Sequence, residues 1–202
     1  MIVIVDTGLS NVQSVANMVK RIGARPHVTG TPEEVAAADR IILPGVGAFD
    51  FGVAALQRGG VAGALDEARR KGTTILGICL GMQLMTQGSD EGDRAGLGWF
   101  PGRARKLQAM PRLGLRVPHM GWCVPRPVDD SRLLGDLDPA ARYYFVHSYH
   151  VTIDEPSDIA ATFEFGVDCV AAIERDNVFG VQFHPEKSHR FGKAVLERFL
   201  TL

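Results

Sequence analysis

The sequence predicts an α/β fold: a three-layer open, mostly parallel sheet with helices on both faces and a mixed or antiparallel extension. Three observations carry this. Residues 2–5, 40–43 and 74–78 are short, largely apolar runs without polar alternation, as strands buried on both faces require. Apolar residues between those runs recur at helical spacing. After Gln87 the texture changes to short strand-like runs separated by Pro, Gly and Asp turns.

Taken in order, residues 2–5 form a strand and Asp6-Thr7-Gly8 a turn. Ser10 or Asn11 caps a helix running to about Ile22, with Val12, Val15, Val19 and Ile22 on its apolar side. Gly23 ends that helix, and residues 26–29 give a second strand. Thr31-Pro32-Glu33-Glu34 opens a short helix, with a cap, a proline at the first position and acids in the first turn. The strand at 40–43 closes on Pro44-Gly45-Val46-Gly47, and a helix over about 61–71 leads into the next strand. Residues 87–96 read as a polar surface loop. Beyond it, 143–146, 159–165, 170–173 and 178–183 are the clearest strands. Ser188 is placed to cap a last helix that buries Phe191, Val195, Leu196 and Phe199.

The 202 residues are 46% hydrophobic and 22% charged, which predicts one globular domain over 1–202 with a core that needs no staples. A net charge of −1 gives no electrostatic reason to expect nucleic-acid or membrane partners. The three cysteines, Cys79, Cys123 and Cys169, are sparse and form no C-x-x-C pair, which points to a reducing compartment. The apolar N-terminus meets Asp6 too soon for a signal peptide, and no later run is long enough to span a bilayer, so a cytoplasmic location is expected.

The chemistry centres on residues 74–83, T-I-L-G-I-C-L-G-M-Q. A buried strand runs into Cys79, which is flanked at two residues by Gly77 and Gly81. This is the nucleophile-elbow pattern with cysteine in place of serine. Side chains at the flanks would collide with neighbouring backbone, and the helix that follows offers its N-terminal N–H groups to a thiolate or an oxyanion. A cysteine nucleophile needs a base, and the base an orienting group. Phe183-His184-Pro185-Glu186 supplies both: residues two apart in an extended segment share a face, and Pro185 fixes the backbone between them. Pro44-Gly45-Val46-Gly47 also lies at a strand end. Its glycines allow the Val46 backbone to turn an N–H toward an oxyanion beside that of Leu80, although by composition alone a plain turn is the stronger reading. His147 and His150 read as structural, His27 and His189 as solvated, and Cys169 as an inert thiol in an apolar strand. No metal or cofactor is expected.

The stretches G-I-C-L-G-M-Q and G-V-Q-F-H-P-E, in that order, resemble the class I (triad) glutamine amidotransferases. V-D-T-G-L-S-N at 5–11, L-P-G-V-G-A-F at 43–49, P-H-M-G-W at 118–122, Y-F-V-H-S-Y-H at 144–150 and H-P-E-K-S at 184–188 resemble, within that family, the glutaminase subunits of imidazole glycerol phosphate synthase. The resemblance spans the chain. It implies hydrolysis of glutamine to glutamate and ammonia, with the ammonia channelled to a (β/α)8-barrel cyclase subunit in histidine biosynthesis. It casts Cys79 as nucleophile, His184 as general base then acid, and Glu186 as its orienter. Val46 and Leu80 would supply the oxyanion N–H groups, Gly47, Gln83, Ser148 and Tyr149 would hold glutamine, and Asn11, Trp122 and Lys187 would face the cyclase. Ser10 and Cys123 depart from the commonest family pattern, which has glycine and asparagine there. The same triad would serve a glutaminase feeding a different, sugar-amidating synthase, and the same fold a binding module without activity.

Overall fold

In a computed structural model, residues 1–8 and 10–202 are described; Leu9, within the V-D-T-G-L-S-N stretch, lies outside them. The first half alternates β1 (Ile2–Val5), α1 (Val12–Arg21), β2 (Pro26–Thr29), α2 (Pro32–Ala36), β3 (Arg40–Gly45), α3 (Phe49–Arg58), α4 (Val61–Arg70), β4 (Thr74–Cys79) and α5 (Leu80–Leu84). The second half is mostly strands: β5 (Gly102–Lys106), β6 (His119–Cys123), β7 (Arg126–Pro127), β8 (Tyr143–His147), β9 (Tyr149–Ile153), β10 (Ile159–Glu164), β11 (Asp168–Arg175) and β12 (Val178–Val181), closed by α6 (His189–Phe199). The main sheet has the order β2-β1-β3-β4-β12-β11-β10-β7. Its pairs are parallel from β2 to β12 and antiparallel from β12 to β7, which is the expected mostly parallel sheet with its antiparallel extension. Two separate antiparallel ribbons, β5 with β9 and β6 with β8, complete it.

Both faces of the parallel region are covered. Ile4, Ile42, Leu76 and Ile78 join Val15, Val19, Val195 and Phe199 of α1 and α6 in one core. Their neighbours Val3, Val5, Ile41, Leu43 and Ile75 point the other way, into a second core with Val35, Val53, Leu56 and Leu65 of α2, α3 and α4. The period-2 alternation of side chains into two cores thus explains why these strands, past Arg40 and Thr74 at their starts, carry apolar residues on both faces.

Three expectations need correction. Helix α3 is not anticipated by the sequence reading, because Ala48 at its cap position has no hydrogen-bonding side chain to signal a start. Its first donor is satisfied from a distance, by Glu91 Oε2 accepting the Phe49 N–H at 2.8 Å. Strand β3 runs two residues beyond 43, pairing Pro44 with Ile78 and Gly45 with Cys79, which lays the P-G-V-G segment beside the elbow. Thr31 and Ser188 stand at helix caps but make no side-chain cap bond. Ser188 Oγ instead accepts the Tyr144 N–H at 3.0 Å and donates to the His184 carbonyl at 2.6 Å, fastening β8 to the H-P-E turn.

The elbow is closely packed against its neighbours. A Cβ on Gly81 would stand 1.8 Å from the Leu43 carbonyl oxygen, and one on Gly77 would stand 2.7 Å from the Met82 nitrogen. Gly81→Ala is therefore expected to destabilise the protein by about 3 kcal/mol or more, since the strand–helix junction must move apart. Gly63→Ala is its control: Gly63 lies inside α4 with open space around it, and the change should stabilise by about 0.5–1 kcal/mol. Chemical denaturation of the two variants measures both.

Candidate active site

Because β1, β3, β4 and β12 are parallel, their C-terminal ends share one edge of the sheet. Asn11 follows β1, Val46 follows β3, Cys79 ends β4 and His184 follows β12. Sites in open α/β sheets form at this edge.

Cys79 adopts φ 55°, ψ −110° as the cap residue of α5, a strained conformation for a residue other than glycine. The turn directs its sulfur into a cavity of about 320 Å³ that Val46, Gly47, Leu80, Gln83, Ser148, Tyr149 and His184 also line. The structure thus brings together the expected residues of the catalytic, oxyanion and substrate groups, apart from Glu186, which stands behind His184. A roomier cleft of about 540 Å³ lies elsewhere, among Asp130, Arg132, Asp158, Glu174 and Arg175, but no cysteine or histidine lines it.

His184 Nδ1 donates to Glu186 Oε1 at 2.7 Å. The two do not meet along an extended strand, as the sequence suggested. Residues Pro185–Lys187 form one turn of 3₁₀ helix, and that turn folds the carboxylate back beneath the imidazole. An antiparallel bridge to Tyr144, with the His184 N–H donating to the Tyr144 carbonyl at 2.9 Å, holds the turn in place. Burial alone would push the His184 imidazole down, but Cys79 and Glu186 on either side outweigh it and hold it up at about 9. The imidazole therefore carries its proton at neutral pH.

Two polar residues in this region were missed by the sequence reading. Gln182, wholly buried, donates through Nε2 to Cys79 Sγ at 3.6 Å. A glutamine inside the apolar run V-F-G-V-Q-F was the available signal, since a buried amide must be spent on partners. Glu91 lines the cavity from the 87–96 loop, where nothing local distinguishes it from a solvated acid. Gln83 is more committed than expected: its Nε2 donates to the Tyr149 carbonyl at 2.9 Å and to Gln182 Oε1 at 3.1 Å, leaving only its own carbonyl oxygen for a ligand.

The remaining sequence candidates sit apart from the sulfur. Trp122 is 44% exposed, stacked on His189 at 5.6 Å and edge-on to Tyr144 at 5.8 Å. Lys187 Nζ lies 5.9 Å from the Tyr144 ring, so Trp122 and Lys187 flank one aromatic. Asn11 Oδ1 accepts the Ser14 N–H at 3.2 Å, which occupies that atom as the α1 cap. His147 is buried and pushed down to about 3, chiefly by burial. His150 is pushed down for the same reason, and the Cys169 thiol is pushed up to about 11 by burial and the neighbouring Asp168.

His184 gives a titration test with a definite sign. Its value is raised above the ordinary 6.5, so its contribution to stability, about 3 kcal/mol, is present in full below pH 6.5 and is lost as pH rises through about 9. By NMR the His184 imidazole should titrate near 9. Cys79→Ala and Glu186→Gln should each lower that midpoint, because each removes a group that raises it.

Residues 3–202 match the family described as glutamine amidotransferase class-I. The chain is 45% identical over 201 residues to the imidazole glycerol phosphate synthase subunit HisH of Bdellovibrio bacteriovorus, covering 98% of each chain. It is 41% identical over 203 residues to subunit HisH 2 of Pseudomonas aeruginosa, covering 100% of each. Among solved structures, PurLQS from Thermotoga maritima shares the fold at a TM-score of 0.76, with 18% identity over 99% of this chain and 97% of that one. With its elbow cysteine, buried histidine and long relatives in hand, the chain belongs to the class-I glutamine amidotransferase family.

Proposed function

We propose that this chain is the glutaminase subunit of an imidazole glycerol phosphate synthase: it hydrolyses glutamine to glutamate and ammonia and passes the ammonia to a (β/α)8-barrel cyclase subunit in histidine biosynthesis. One observation carries the reading: a strained cysteine and a carboxylate-held imidazolium converge on one cavity at the sheet edge. The full-length similarity to HisH subunits supports the pathway and the partner.

Because His184 holds its proton at neutral pH, its first act is to give rather than to take. Cys79 Sγ attacks the side-chain amide carbon of glutamine as thiolate, and the carbonyl π pair moves onto oxygen. The N–H of Leu80, at the first position of α5, and that of Val46 face the resulting oxyanion. As the tetrahedral intermediate collapses, the C–N bond breaks and His184 delivers its proton to the departing nitrogen, releasing ammonia and leaving a thioester. Water then attacks the thioester, His184 takes the water's proton, and the C–S bond breaks to give glutamate. Glu186 keeps the imidazole aligned through both halves. At the other end of the substrate, the Glu91 carboxylate suits the α-ammonium group, and Gln83, Ser148, Tyr149 and Gly47 shape the pocket around the α-carbon. Trp122, Lys187 and Asn11 face the cyclase.

Cys79→Ala should abolish glutamate release while leaving folding intact, since alanine fits the turn but offers no covalent route. Glu186→Gln should retain a residual rate, lowered by about 10²-fold or more, because the imidazole loses its orienter but keeps both nitrogens. Glutamate production near the wild-type rate in Cys79→Ala refutes the assignment.

The oxyanion segment gives the subunit a means of control. Val46 is 42% exposed and Gly47 sits at φ 100° with open space around it, so the segment has room for the Gly45–Val46 peptide to turn either the Val46 N–H or the Gly45 carbonyl to the site. Losing one oxyanion donor costs about 10²–10³ in rate. The lone subunit should therefore be slow, and the complex loaded with its nucleotide ligand fast. Gly47→Ala should reduce that activation more than it raises the KM for glutamine. Gly45 is a poorer probe, because a Cβ there would stand 2.9 Å from Leu80 Cβ and disturb the elbow itself. Steady-state glutamate release by the lone subunit, the complex and the liganded complex checks this; equal rates in all three remove the switch.

A further inference from the structure

The backbone carbonyl of Tyr149 accepts two side-chain hydrogen bonds, from His147 Nδ1 at 2.8 Å and from Gln83 Nε2 at 2.9 Å. A carbonyl can only accept, so it fixes the direction of every bond that follows. Gln83 must turn its NH₂ toward it, and the second hydrogen of that NH₂ then reaches Gln182 Oε1 at 3.1 Å. With Oε1 facing Gln83, the Gln182 amide has one remaining orientation. Its Nε2 points at Cys79 Sγ, 3.6 Å away. On the other branch, His147 is neutral with its proton on Nδ1, so its Nε2 accepts from His119 Nδ1 at 3.1 Å. The free nitrogen of His119 then accepts from the Cys123 thiol at 3.4 Å.

The geometry points to Gln182 as a catalytic hydrogen-bond donor to the Cys79 sulfur, held in orientation by Gln83 and the Tyr149 carbonyl. This deepens the function proposed above and rests on Cys79 being its nucleophile. Two donors then serve one sulfur, and they differ in kind. His184 gives its proton away when ammonia leaves, whereas an amide N–H keeps its proton throughout. Gln182 thus favours negative charge on the sulfur at every stage, including the departure of thiolate from the thioester, when the imidazole has only just regained a proton from water. A donor to an anion is worth about twice a neutral pair. Gln182 is wholly buried, so no water replaces it.

Alkylation of the full chain by iodoacetamide tests this without depending on turnover. The rate at Cys79 is followed against pH, with Cys79, Cys123 and Cys169 resolved by peptide mass spectrometry. At about pH 6 Cys79 should react before Cys123 and Cys169 in the wild type, because burial pushes both of those thiols up and only thiolate reacts. Gln182→Met keeps the shape and removes the donor. It should slow Cys79 alkylation about tenfold at that pH and move the profile up by about one unit, with the rates converging in alkali. Gln182→Glu still accepts from Gln83 but sets a carboxylate against the sulfur, so its shift should be larger in the same direction. Should Gln182→Met fail to fold, Gln182→Glu and Gln83→Met, which releases the Gln182 amide, carry the test through the same upward shift. Preferential labelling of Cys79 with an unshifted profile in the folded variants overturns the role of Gln182 alone. Labelling of Cys79 no faster than Cys123 and Cys169 in the wild type overturns the nucleophile reading with it.

Discussion

The approach of Gly81 to the Leu43 carbonyl is the constraint on which the rest of the site depends. With no room for a Cβ, α5 leaves the sheet hard against β3, and the chain can make that turn only by driving Cys79 to φ 55°. A residue other than glycine in such a conformation costs about 1–3 kcal/mol and persists where its surroundings over-determine it. Here they do. β4 is paired in parallel on both sides, with β3 through Cys79 itself and with β12 through Ile78. The sulfur cannot relax without breaking a central strand, so the fold's stability is what holds the proposed nucleophile in position.

The same neighbourhood separates three buried histidines by what each one faces. His184 lies between a carboxylate and a thiol and is held up at about 9. His147 meets a carbonyl and a neutral imidazole, with no carboxylate at hand, and is pushed down to about 3. His119, stacked on Phe163 at 5.4 Å, is likewise pushed down by burial. Environments that drive like groups apart assign their roles. One histidine carries charge and, in the proposed reaction, moves protons; the other two are fixed tautomers that transmit orientation. Residue type alone could not distinguish them, and the hydrogen-bond partner of each does.

The sequence was legible wherever one segment's own chemistry decides its structure. The apolar runs of β1, β3 and β4, the capping asparagine of α1 and the glycines around Cys79 each state their conformation locally. It was silent where distant groups decide. Helix α3 begins at Phe49 because Glu91, 42 residues on, accepts its first N–H. Strand β5, G-R-A-R-K, looks like a charged loop until β9 pairs with it, and β6, H-M-G-W-C, needs β8. The His184–Glu186 contact was foreseen from the wrong geometry, since a proline followed by a 3₁₀ turn closes the same distance that alternation in a strand was expected to span. Gln182 was visible only as an anomaly, one amide in an apolar run, whose side-chain partners come from α5 and from the end of β4.

The turn between β8 and β9 shows how far that long-range organisation reaches. β8 belongs to the ribbon carrying Trp122, β9 to the ribbon with β5, and the residues between and beside them (His147, Ser148 and Tyr149) line the cavity. The Tyr149 carbonyl therefore orders donors toward Cys79 on one side, and on the other sets each donor, from the Cys123 thiol through His119 and His147, to point back toward itself. This gives the departure at Cys123 a physical meaning. The terminal position of that branch must supply a donor to His119, and an asparagine, the residue common in the family, offers an amide N–H. A thiol does the same as long as it keeps its proton, and burial pushes the Cys123 thiol up, away from ionisation. A protonated thiol at this position therefore sets the same direction for the hydrogen bonds behind it as an amide donor would.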